Sequence, residues 1–291
     1  MHPRPVALAI AAALAVGVTL SALAEGEGLF GAFTIRSDDE RLGGLSALEI
    51  TEGGRGFTAV SDRGMLFRGR FTRDGTGRVT ALSLAEPEML MAREGGRGAR
   101  GARDSEGLAI APDGQVFISY EGDHRVTRRH EQAATILPAA PGFRDLEANG
   151  SLESLAVDGA GTLYTLPEVS QGPTIRVFRY IGGAWNESWS IPRDGRFRPV
   201  GADFDPSGRF YLLERDFSLF RGFASQIRRF EPMPDGLTGG GVVWRSSHGT
   251  HSNLEGLSLW RDGQGRLIAS MVSDDNFSPL LPTTLVEVVL E

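Results

Sequence analysis

The chain has 291 residues, with 30 basic and 37 acidic side chains for a formal charge of −7, and 41% of its residues are hydrophobic. That balance argues against nucleic acid or an anionic membrane surface as a general partner, and the absence of cysteine excludes a framework held by disulfides. The length exceeds the usual single-domain range, which a repeat architecture meets without splitting its core.

In chain order, residues 2–5 precede an apolar run over residues 6–23 that ends Ala22-Leu23-Ala24 before Glu25. This is the form of a secretory signal peptide, residues 1–24, and predicts a mature chain of residues 25–291 in the periplasm or outside a bacterial cell. An uncleaved anchor is the alternative, because the run is nearly long enough to cross a bilayer. No later segment is apolar enough to span one.

Residues 31–35 and 284–290 (TLVEVVL) read as strands at the two ends of the mature chain. Between them one plan recurs at residues 43–64, 104–123, 151–168, 200–216 and 253–277. Each unit has a short apolar strand, preceded by an acid in three of them, a Gly-bearing turn, a second strand and further acids; its leading apolar residue is Leu45, Leu108, Leu155, Ala202 or Leu257. The spacing, about 47 to 63 residues, suits propeller blades and is too long for common helical repeats. Alternating runs such as residues 115–120, 175–180 and 209–213 favour strands, and no long stretch has a helical period. The prediction is an all-β chain, a single β-propeller of five or six blades acting as a monomer, whose two ends complete one sheet. The long first interval, with residues 65–71 and 78–84, leaves room for the sixth blade. Residues 95–103 (GGRGARGAR) form a basic loop, either a solvated connector or a cover that meets an anion. Residues 138–149 read as a second irregular loop, pinned by Phe143 and Leu146.

A hairpin brings residues equidistant from its turn together. Glu106 meets Glu121 in this way, Glu153 meets Glu168, and Glu255 meets Asp274. In a propeller the innermost strands start on one face, so Glu106, Glu153 and Glu255 should converge at the channel mouth. Carboxylates this close raise one another's pKa unless a cation lies between them. A hard divalent ion with oxygen ligands fits, and calcium tolerates irregular geometry. The metal set is then Glu106, Glu255, Glu121, Glu168 and Asp274, with Asp62, Glu214 or waters completing it. For any single hairpin the plainer reading is that loops are polar.

Arg63 and Arg215 each end a second strand beside acids, where a guanidinium can present its fork to a phosphate or knit blades by ion pairs alone. His248 and His251 are candidates for metal ligation or acid–base work. Gly43-Gly44 and Val200-Gly201 stand where the other units carry glutamate. No G-x-S-x-G, H-E-x-x-H or phosphate-binding P-loop motif occurs.

SDRG at 61–64, EGLAI at 106–110, NGSLESLAVD at 149–158, ERDFS at 214–218, NLEGLSLW at 253–260 and VSDDNF at 272–277 together resemble the exported bacterial family called "esterase-like activity of phytase". The resemblance covers nearly the whole mature chain. It implies a β-propeller that hydrolyses phosphate or other small-molecule esters, with calcium as in the alkaline propeller phytases. It supplies no catalytic residues to carry over, so Glu153 as general base, with Arg63, Arg215 and His251, are candidates on physical grounds. A different class of function is a non-catalytic binding module of the cell envelope, its acids fixing loops around a structural ion.

Overall fold

The computed structural model describes residues 28–90, 104–130, 133–278 and 281–291. The leader and the basic loop at 95–103 lie outside the described residues. Runs rich in β-branched and aromatic residues, broken by Gly-bearing turns, form 21 strands with no α-helix among the described residues. Accordingly, no helix among the described residues is long and apolar enough to cross a membrane.

The first strand, β1 (Leu29–Thr34), waits for the last blade. Blade 1 is β2 (Leu45–Thr51), β3 (Gly56–Ser61), β4 (Met65–Arg73) and β5 (Val79–Leu84), with short β6 (Glu88–Met89) on β4. Blade 2 is β7 (Ser105–Ile110), β8 (Val116–Tyr120), β9 (Arg125–His130) and β10 (Ala133–Ile136). Blade 3 is β11 (Ser154–Val157), β12 (Leu163–Leu166), β13 (Thr174–Ile181) and β14 (Ala184–Pro192). Blade 4 is β15 (Arg198–Phe204), β16 (Phe210–Ser218), β17 (Gly222–Met233) and β18 (Gly236–Arg245). Blade 5 is β19 (Asn253–Arg261), β20 (Leu267–Asp274) and β21 (Thr284–Val289), completed by β1, which pairs antiparallel with β21.

The inner strands β2, β7, β11, β15 and β19 touch in a closed circle. The fold is therefore a five-bladed propeller closed by its own two ends. The segment that left room for a sixth blade forms β4 and β5, the outer half of blade 1.

Each of the five gaps between blades holds one apolar cluster. Strand alternation distributes side chains between them. On β20, Ile268 and Val272 face blade 1 while Leu267, Ala269 and Met271 face blade 4. Fully buried strands follow, because both faces of a blade pack on neighbours. The loop at 138–149 includes a 3-10 turn (Pro141–Asp145) whose Phe143 packs on Phe178 and Trp185.

Glycines allow the inner strands to meet at backbone level. A Cβ on Gly256 would lie 2.7 Å from Leu48 N and 3.0 Å from Ala47 Cα. One on Gly107 would lie 2.6 Å from Leu155 Cβ, and one on Gly201 would run into the Glu255 carbonyl oxygen. The same alignment pairs Leu48, and not Leu45, with Leu108, Leu155, Ala202 and Leu257, so blade 1 is shifted by three residues from the spacing read in the sequence. Gly256→Ala is expected to cost about 1–3 kcal/mol in denaturant unfolding, because its new methyl has only backbone to displace. Gly263→Ala, with nothing within 4 Å, should stay within about 0.5 kcal/mol.

Candidate functional site

Every inner strand but β11 shows a register shift near its start, and these bulges decide what faces the channel mouth. On β7 the pairing passes from Ser105↔Tyr120 to Leu108↔Ile118, and on β19 from Leu254↔Ser273 to Gly256↔Val272. The residue before each close-packed position is thereby equivalent around the circle: Ser46, Glu106, Glu153, Val200 and Glu255. Backbone hydrogen bonds from Asp62 to Gly44, Glu121 to Asp104 and Glu168 to Ser151, 2.9–3.1 Å, fix a second set of equivalents. Arg198↔Arg215 and Asn253↔Asp274 complete it. Four blades thus place an acid on the second strand, Asp62, Glu121, Glu168 and Asp274, where blade 4 places Arg215. Arg63 stands one residue beyond this position. It is exposed and stacks 3.2 Å over the Phe277 ring.

Arg215 divides the rim electrostatically. It donates to Glu168 Oε1 at 3.2 Å, and also to Glu255 and Asn253. Burial opposes its charge, yet Glu255, Glu168 and Glu153 hold it more firmly protonated than a free arginine. Asn253 donates in turn to Glu255 Oε1 at 2.9 Å and to Asp274 Oδ2 at 3.4 Å. Burial, partly offset by Arg215, leaves Glu255 at a pKa of about 7. Burial, then Glu255 and Glu168, pushes Glu153 well above the ordinary carboxyl range.

On the other side of the rim no arginine among the described residues bridges the acids as Arg215 does, although Arg63 acts on Asp62 through its charge. Oxygens of Asp104, Glu106 and Glu121 lie within 4.8 Å of one another. Glu121 Oε1 accepts hydrogen bonds from the Gly150 and Ser151 amides of blade 3. Burial raises the Asp104 pKa, with Glu106 lowering it and Glu121 raising it further. Burial, then Glu153, Glu255, Asp104 and Glu121, raises the Glu106 pKa well above its ordinary value. Asp62 is raised to about 7 by burial, then by Asp274 and Asp104, against a lowering by Arg63. Its Oδ1 is buried with no hydrogen-bond partner. Three residues further along the inner strands a second pair, Glu49 and Asp203, also titrates high through burial.

Glu106, Glu121, Glu153, Glu168, Glu255, Asp62 and Asp274 therefore share one neighbourhood, with Arg215 among them. Glu214 does not join them. Strand alternation turns it to the opposite face of β16 from Arg215, where it is fully buried and accepts from Arg228 at 3.0 Å and Gln226 at 2.7 Å. His251 packs 6.0 Å from the Trp244 ring, and burial lowers its pKa. No hydrogen bond links it to the carboxyls among the described residues. His248 Nε2 lies 3.3 Å from Asp216. Where blade 1 carries Gly43-Gly44, Gly44 at φ 57° donates its amide to Asp275 Oδ1 at 2.8 Å. Asp104 and Asn253 are members that the motif reading passed over. Each lies two residues before a rim glutamate, the spacing that puts extended-chain side chains on one face.

This electrostatic arrangement makes stability depend on pH. Raised carboxyl pKa values mean that the folded chain binds more protons than the unfolded one, whose carboxyls titrate near 4. The associated stability is present below that value and is lost as pH rises through about 7. Melting temperature in chelator should fall between pH 5 and 8, and Glu106→Gln should flatten that slope. Arg215→Ala should destabilise by about 3–5 kcal/mol, since it strands buried carboxylates. Arg63→Ala should cost under about 1 kcal/mol by the same denaturation measurement.

No curated protein matches the chain. Solved structures with a similar fold include a gluconolactonase from Xanthomonas campestris (15% identity, 84% of this chain and 72% of that chain, TM-score 0.46). The calcium-binding protein regucalcin from Agrobacterium tumefaciens is similar too (15% identity, 85% and 77%, TM-score 0.46). So is a protein of unknown function from Dyadobacter fermentans (13% identity, 89% and 86%, TM-score 0.48). Likeness at this level carries nothing about activity. Residues 40–277, from just before β2 to just past β20, match the phytase-like family model described as esterase-like activity of phytase. A match spanning every blade's inner hairpin makes the chain a member of that phytase-like family.

Proposed function

We propose that the protein is an exported hydrolase of phosphomonoesters or related esters that works with calcium at the mouth of the channel. One observation carries the reading: Asp104, Glu106 and Glu121 converge within 4.8 Å on the side of the rim that Arg215 does not serve. The donors fit a hard cation, being all carboxylate oxygens, and the lone Asp62 Oδ1 is a further oxygen close by. Family membership supports ester hydrolysis as the reaction, and the signal-like leader supports a periplasmic or secreted location.

Asp104, Glu106 and Glu121 would hold the calcium, which would supply Lewis acidity toward the ester oxygens. Glu153 takes the proton of the attacking water, a task suited to a carboxyl whose pKa stands well above its ordinary value. Arg215 holds Glu168 and Glu255 in place beside it. Arg63, exposed at the rim, offers its fork to the transferring group.

The binding-module reading keeps one observation of its own: Glu121 and Arg215 already knit blades together, bonding to backbone or side chains of neighbouring blades. Metal analysis with a chromogenic phosphate and a carboxylic ester separates the two. Glu106→Gln should lose both bound calcium and the calcium-induced rise in melting temperature. Glu153→Gln should keep both yet lose about a hundredfold or more in turnover. Absence of turnover of either ester in calcium, with the thermal effect intact, would leave only the binding module.

A further inference from the structure

Beside the carboxylate rim, over blades 3 to 5, lies a cavity of about 540 Å³ whose walls include Arg193, Arg196, Arg198 and Arg215. Among the described residues two acids, Glu168 and Asp216, line it against four arginines, so a chain of net charge −7 concentrates positive charge here. Arginine hydrogen bonding in the cavity is unevenly committed. Arg215 is engaged by the rim, and Arg193 donates to the Ser170 and Gly172 carbonyls at 3.1 and 3.3 Å. Arg196 gives one edge to Asp216 at 3.2 Å and to the Phe217 carbonyl at 3.0 Å, while remaining 76% exposed. Arg198 reaches only Glu168, at 4.0 Å, and is 49% exposed. Arg196 and Arg198 thus have guanidinium donors facing solvent, in the planar fork that matches an oxyanion.

Asn253 and Asn276 line the side toward blade 5, and Phe217 and Phe223 give the wall an aromatic face. Phe217 and Phe223 pair across the β16–β17 hairpin with ring centroids 4.8 Å apart, and Phe217 is 49% exposed. At the hairpin tip Leu219 and Phe220 are 79% and 94% exposed. A guanidinium pair next to an uncovered phenyl surface matches a ligand that is anionic at one end and apolar at the other. A neutral ligand would leave the arginines unanswered, and a bare ion would leave the rings in water.

We infer that this cavity is an oxyanion subsite selecting molecules in which a phosphate or carboxylate is carried on an apolar body of about aromatic size. Its role in choosing substrates rests on the hydrolase reading; its capacity to bind does not. Arg215 and Glu168 are common to the cavity and the rim, so a group seated here lies alongside Glu153 and Glu255.

Binding is measured by calorimetry on the whole protein in chelator, where calcium-dependent turnover plays no part. The probes are phenyl phosphate, benzoate, inorganic phosphate and benzyl alcohol. Phenyl phosphate or benzoate should bind, and whichever is tighter identifies the oxyanion. Arg198→Gln and Arg196→Gln, both at exposed positions, should each weaken that probe by about tenfold. Phe217→Ala should remove the advantage of phenyl phosphate over inorganic phosphate, and benzyl alcohol should not bind. The inference is overturned if neither anionic probe binds, if both arginine variants bind like the parent, or if benzyl alcohol binds as tightly as the anions. Binding with no turnover of any ester in calcium would sink the hydrolase reading and leave the subsite. Turnover without probe binding would do the reverse.

Discussion

Five inner strands pack around one axis only where their backbones almost touch, and that close approach determines the rest of the molecule. Gly107 and Gly256 lack a side chain where neighbouring strands press within 3.0 Å of a Cβ position, and Gly201 does the same against Glu255. The bulge next to each contact turns the preceding residue toward the channel mouth. Side chains at five equivalent places are thereby driven together whatever their charge. Had all five been glutamates, mutual repulsion and desolvation would fall on the folded state alone. Ser46 and Val200 relieve that crowding on two blades, and Arg215 answers it on the fourth.

Arg215 is a permanent counter-ion, and its reach is what gives the rim two unlike sides. Glu168 and Glu255 are its direct partners, with Glu153 within its field. Asp104 and Glu106 have no arginine among the described residues bridging them in this way, and burial raises both pKa values, while Glu121 is answered by the Gly150 and Ser151 amides. A guanidinium stays in place, whereas protons can be exchanged for a metal ion, so charge compensation is fixed on one side and adjustable on the other. The same economy recurs behind β16, where Glu214 would be an isolated buried charge without Arg228 and Gln226. Adjacent residues of one strand thus serve opposite purposes, one held in the blade's own interior by β17 and one facing the channel.

The repeated two-strand plan, the sheet shared between the chain ends and the convergence of glutamates from distant repeats were legible because period-two patterning and Gly-bearing turns are written locally. Register was not. A bulge inserts one residue without any distinct residue type to announce it, so Arg63 looked equivalent to Arg215, when Asp62 is the counterpart. The segment GGLSALEI offers leucines at both 45 and 48, and only contact with Gly256 selects the second. Glu214 failed by parity: beside Arg215 in sequence, it lies across the strand from it. Outer strands such as β5 and β14 alternate exposure on a weak apolar pattern, which is why residues 78–84 could pass for a blade of their own. Asp104 lies two residues before Glu106, a spacing that puts both side chains on one face of an extended chain.

Placement of opposite charges on opposite sides of one opening gives the mouth an orientation. Blade 2 contributes carboxyls that favour a cation, while blade 4 contributes Arg196, Arg198 and Arg215, which favour an anion. On the proposed reading, a molecule bearing an anionic end would be drawn toward blade 4, and a metal ion on blade 2 would remove the opposing negative charge there. Binding of the metal and of the anion would then assist each other, because each reduces the repulsion that the other meets. That mutual dependence needs no moving part. It arises from a ring of equivalent positions in which a single blade departs from the sign of the others.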